Sequence, residues 1–159
     1  MGHRAKVLTV SDGVVGGYRE DLSGHTLVEV LTERGFDVCE RAVVADGVDS
    51  VGPALREMAD DFAGLVVTTG GTGFGPRDLT PEATRQVIER EAPGFAERMR
   101  AAHPLGALSR GVVGTRGRAL IVNVPGSPAG ARESLEALSD LLDHALSLLA
   151  GQDDAHPHA

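Results

Sequence analysis

Apolar positions change rhythm from one segment to the next, and each change marks an element. Val7-Leu8-Thr9-Val10 is a short β-rich run that breaks off at Ser11-Asp12-Gly13, and Gly13, Gly16 and Gly17 predict a loop that closes near Asp21. Leu22, Leu27, Val30 and Leu31 recur at roughly helical spacing, with Ser23 as candidate cap and Gly35 as the stop. From Phe36 to Val44 the positions alternate as in a strand, which runs out at Ala45-Asp46-Gly47. Val51, Leu55, Met58 and Phe62 share one face of a helix expected over 49–62, broken at Gly64.

The second half begins with Leu65-Val66-Val67-Thr68-Thr69, apolar on both faces like a buried parallel strand, leading directly into Gly70-Gly71-Thr72-Gly73. Thr80-Pro81-Glu82 reads as a helix start, with Thr80 as N-cap and Pro81 at the first helical position. Pro93 separates that helix from another over 94–102. Residues 111–115 and 118–124 form two strand-like runs split at Arg116-Gly117. Ser127-Pro128 repeats the start signal for a final helix carrying Leu135, Leu138, Leu142 and Leu149, and 151–159 reads as a flexible polar tail. Strand and helix alternate throughout, with no repeat or linker. The expected fold is therefore α/β: one three-layer α/β/α domain over 1–150, with helices on both faces of a mostly parallel sheet.

Composition narrows the function. A formal charge of −8 and five aromatic residues without tryptophan speak against nucleic acid, which needs cationic surface and stacking faces. Lys6 is the single lysine and lies in a predicted strand, so a lysine P-loop is excluded. Cys39 is the single cysteine, which points to a reducing cytoplasm. No apolar run approaches the roughly 18 residues of a membrane span.

In an open parallel sheet, ligands bind beyond the carboxyl ends of the strands. Ser11-Asp12, Asp46, the 70–73 loop with Arg77-Asp78, and Pro125-Gly126-Ser127 all follow strands, so four distant loops should converge there. Glycines let backbone N–H groups approach an anion, and Thr68, Thr69 and Thr72 add hydroxyls. Asp46 and Asp78 could together hold Mg²⁺; the competing view is a loop residue and a helix-start acid. Asp12 could be a third carboxylate or a turn residue. Arg77 is the candidate phosphate cation or a surface ion pair, with Arg110 and Arg116 behind it. The histidines show no metal-ligand spacing with Cys39.

The run from Thr68 to Ala83, TTGGTGFGPRDLTPEA, resembles the signature of the Mog/MoaB type of molybdenum-cofactor biosynthesis protein. Pro93-Gly94-Phe95, Leu108-Ser109-Arg110 and Asn123-Val124-Pro125-Gly126-Ser127-Pro128 follow in that family's order, as do Ser11-Asp12 and Asp21-Leu22-Ser23-Gly24. The resemblance implies a homotrimer that adenylylates molybdopterin with ATP and Mg²⁺, releasing pyrophosphate. It implies catalytic, metal-holding roles for Asp46 and Asp78. Substrate contacts would come from Ser11, Asp12, Thr69, Gly70, Gly71, Thr72, Gly73, Arg77, Pro125, Gly126 and Ser127, and the product would pass to a molybdate-inserting protein. A non-catalytic pterin-binding or delivery protein of the same family is the alternative. Ala45 replaces a common proline, and Gly13 a bulkier residue, without loss of a functional group.

Overall fold

The computed structural model describes residues 2–151; apart from Gly151, the expected 151–159 tail lies outside them. Six strands form one sheet in the order β2-β1-β3-β6-β5-β4. These are β1 (Arg4–Val10), β2 (Asp37–Val44), β3 (Gly64–Thr69), β4 (Arg90–Glu91), β5 (Val113–Arg116) and β6 (Ala119–Val124). β2, β1, β3 and β6 run parallel, while β5 pairs antiparallel with β6 and β4 with β5. Every residue of β3 and β6 is buried, as their continuous apolar character requires.

Among the described residues there are six α-helices: α1 (Asp12–Val15), α2 (Leu22–Glu33), α3 (Val48–Ala59), α4 (Thr80–Val87), α5 (Pro93–Ala101) and α6 (Pro128–Leu149). One core layer joins Leu27, Val30 and Leu31 of α2, Met99 of α5 and Leu135, Leu138 and Leu142 of α6 to Val7, Val67 and Val122 of the sheet. The opposite layer joins Val51, Leu55 and Met58 of α3 and Ala83 and Val87 of α4 to Leu8, Val66 and Ile121. Alternate side chains of one strand thus feed two cores, giving the expected three layers.

Several local expectations change. The glycine-rich stretch after β1 begins with one short helix, α1, because the Ser11 hydroxyl accepts the Val14 N–H at 3.2 Å. Asp21, not Ser23, caps α2, accepting from Gly24 N–H at 3.1 Å. Thr80 is already the first residue of α4 and its hydroxyl donates to Gly70 O at 2.9 Å, so it ties the helix to the Gly-rich loop instead of capping it. The helix expected over 49–62 stops at Ala59, and Asp61 takes a positive φ of 54°.

Candidate active site

All four parallel strands end on one edge, at Val10, Val44, Thr69 and Val124, and the loops that follow meet there. Gly70 and Gly71 make the sharp exit from β3 with φ of +100° and +68°. A Cβ on Gly70 would lie 2.2 Å from Val10 O, and one on Gly71 2.2 Å from the Thr80 hydroxyl and 3.1 Å from Asp46 Oδ1. Glycine is what allows the loop to pass between β1, α4 and Asp46. The Gly70 N–H donates to Val124 O at 3.3 Å and is thereby used up. The next four N–H groups, of Gly71, Thr72, Gly73 and Phe74, find no protein acceptor among the described residues. The stretch with N–H groups left over for a ligand therefore begins one residue further along than expected from the glycine run.

Asp46 follows β2 and forms a reciprocal pair with Asp12: Asp12 N–H donates to Asp46 Oδ2 at 2.9 Å, and Asp46 N–H donates to Asp12 Oδ1 at 3.1 Å. Arg77 reaches both residues, donating to Asp12 Oδ2 at 2.5 Å, Asp12 Oδ1 at 3.1 Å and Asp46 O at 2.9 Å. The Arg77 guanidinium holds the Asp12 carboxyl below the ordinary aspartate range, and Asp12 in turn raises Arg77. Burial pushes Asp46 up, with repulsion from Asp12 and Asp78 adding to it and the Asp12 N–H opposing it. Asp12 is thus occupied as the partner of Arg77, and Arg77 bridges three loops as an ion pair.

Asp78 ends the Gly-rich loop, where its Oδ2 accepts Gly75 N–H at 2.9 Å. Asp46 and Asp78 each keep Oδ1 without a hydrogen-bond donor among the described residues. Two hard oxygens in a crowd of like charge suit a divalent cation, whose remaining ligands would be substrate oxygens and water. No group of three His, Cys, Asp or Glu side chains is assembled for a metal among the described residues.

Thr68 and Thr69 serve the scaffold. Thr68 Oγ1 accepts from Asn123 Nδ2 at 2.9 Å, and Thr69 donates to Pro125 O at 2.7 Å, tying β3 to the loop after β6. Ser127 caps α6 by accepting Gly130 N–H at 3.1 Å. Two clefts of about 460 Å³ each open on this edge and share Gly71, Asp78, Gly126 and Ser127. One is completed by Thr72, Gly73, Met99, His103, Leu105 and Asn123, the other by Ser11, Arg19, Asp21, Asp46, Thr69 and Gly70. Sequence reasoning missed Met99, His103, Leu105 and Leu108 as cleft residues. Met99 lies on α5 and the other three in the loop and 3₁₀ turn (Gly106–Leu108) that follow it, apolar or weakly polar residues whose spacing signals no chemistry. Arg116 lies elsewhere, donating to Asp60 and Val87 O.

An α/β domain with a Gly-rich anion loop, paired aspartates and two adjoining clefts is a nucleotide- or phosphate-handling architecture. Residues 6–144 match the family described as a probable molybdopterin binding domain, and this chain belongs to that family. It is 42% identical to a molybdopterin adenylyltransferase of Helicobacter pylori over 152 residues, covering 91% of this chain and 86% of the relative. The crystal structure of the molybdopterin biosynthesis enzyme MoaB of Thermus thermophilus superposes with a TM-score of 0.89 at 49% identity, covering 94% of this chain and 98% of that one. The molybdopterin biosynthesis Mog protein of Mycobacterium ulcerans gives 0.86 at 41% identity, covering 96% and 99%.

Proposed function

We propose that this chain is a molybdopterin adenylyltransferase of molybdenum-cofactor biosynthesis, using ATP and Mg²⁺. The observation that carries the reading is the pair of clefts meeting at Gly71, Asp78, Gly126 and Ser127, which suits a transfer between two bound substrates. The terminal phosphate of the pterin attacks the ATP α-phosphorus, forming a new P–O bond as the bond to the β-phosphate oxygen breaks and pyrophosphate leaves. Both partners are anionic, so the protein's task is positioning and charge neutralisation. The N–H groups from Gly71 to Phe74 receive phosphate oxygens, and the α6 N-terminus behind Ser127 adds its dipole. Asp46 and Asp78 would hold the cation, which would supply neutralisation of phosphate charge when bound. Asp12 and Arg77 keep Asp46 in place. A homotrimeric assembly, a cytoplasmic location and hand-over of the product to a molybdate-inserting protein belong to the same reading. No described helix is long and apolar enough to cross a membrane.

Purified protein with molybdopterin, ATP and Mg²⁺ should release pyrophosphate only when pterin is present and yield adenylylated pterin. Asp46→Ala and Asp78→Ala should each cut kcat by about a hundredfold or more while remaining folded. Tight pterin binding without pyrophosphate release would make the protein a carrier instead of an enzyme.

A further inference from the structure

Arg110 stands in the Leu108-Ser109-Arg110 motif, and the transfer chemistry gives it no part. Its side chain nevertheless makes the densest set of bonds around the Gly-rich loop. Nε donates to Gly73 O at 2.8 Å and Nη2 to Asp78 O at 2.6 Å. Nη1 donates to Glu82 Oε2 at 2.7 Å, and Nη2 also reaches Glu82 Oε1 at 3.3 Å. Its own backbone N–H donates to Thr72 O at 2.9 Å. Four of the five guanidinium N–H donors are used and the charge is matched by Glu82, so Arg110 keeps no free pair of N–H groups with which to grip a phosphate.

The carbonyl and the following N–H of a trans peptide point in opposite directions, and no cis peptide occurs among the described residues. Drawing Thr72 O and Gly73 O toward Arg110 therefore turns the N–H groups of Gly73 and Phe74 away from it. Those N–H groups are two of the four without a protein acceptor. The bond to Asp78 O anchors the far end of the same loop. We propose that Arg110, braced by Glu82, is a positioning residue that shapes the anion-binding loop and sets Asp78 without touching substrate. This rests on the reading above that the loop receives phosphate.

The test uses Arg110→Lys, Arg110→Ala, Glu82→Gln and the Lys/Gln double variant. Lysine keeps the charge but cannot fork between two carbonyls and a carboxylate. We expect Arg110→Lys and Glu82→Gln each to lower kcat/KM by about tenfold or more, with the double variant no worse than the weaker single. In substrate-free protein, NMR amide exchange at Gly75, Asp78 and Thr80 should accelerate while β3 and α6 keep wild-type protection. If Arg110→Lys keeps wild-type kinetics while Arg110→Ala loses them, charge alone matters and the proposal fails. Unchanged loop exchange in Arg110→Lys also overturns it, as does exchange that rises throughout the molecule. Should the Arg110 variants not fold, Glu82→Gln decides by the same two readouts. Exchange is read without substrates, so failure of pterin-dependent turnover in the wild type would refute the enzyme reading separately.

Discussion

Asp46 sits where several physical effects collide. Burial and two neighbouring carboxylates disfavour its charge, while the N–H of Asp12 favours it, and the balance is a raised pKa. The sign for stability follows directly. A carboxyl that is harder to ionise in the folded state costs stability once pH rises above its unfolded pKa near about 3.9, and costs nothing below it. Asp46→Asn keeps an oxygen that can accept the Asp12 N–H but removes the charge. Without Mg²⁺ it should therefore melt a few degrees above wild type at pH 7, with the gap closing as pH falls below 4. Thermal melts across pH would show a constant gap, or none, if Asp46 were not strained by its surroundings. Asp12 has the opposite sign: Arg77 depresses its pKa, so its contribution is present above the unfolded pKa and lost as pH falls through the lower folded value.

At the scale of elements, the parallel strands and long helices were legible because burial imposes period on their sequences. β3 and β6 are buried throughout, and their apolar runs say so. The two-residue β4 carries no period and was not expected; it exists because Ala92 N–H and Glu89 N–H reach the carbonyls of Val113 and Thr115. The aspartates and the Gly-rich loop were visible in sequence, since only a few residue types can do their work. The bracing by Arg110 was not, because an arginine bonded to carbonyls leaves no local pattern. Asn123 on β6 is a similar case. Fully buried, it donates to Thr68 and Thr84 and accepts from Val112 N–H, joining β3, β6 and α4 beneath the site. Asn123→Ala strands those partners and should cost about 2–4 kcal/mol in urea unfolding. A loss below about 1 kcal/mol would mean that water replaces the amide without penalty.

For the molecule as a whole, the formal charge of −8 opposes anionic substrates at long range, whereas the loop N–H groups attract them at contact. These effects separate by ionic strength. Screening lengths fall from roughly 30 Å at 10 mM to about 8 Å at 150 mM, so salt removes the repulsion before it weakens contact. In this range the pterin association rate should rise with added potassium chloride by about twofold, with little change in dissociation, in stopped-flow measurements. A falling rate would place a cationic guiding surface somewhere on the protein.

The two clefts that share Gly71, Asp78, Gly126 and Ser127 bear on how the reaction ends. Before transfer each substrate can leave by itself. On the proposed reading one covalent molecule would afterwards lie across both hollows, and when one half let go it would stay tethered beside its seat at a high effective concentration. Residence time, not bond making, then becomes the natural bottleneck.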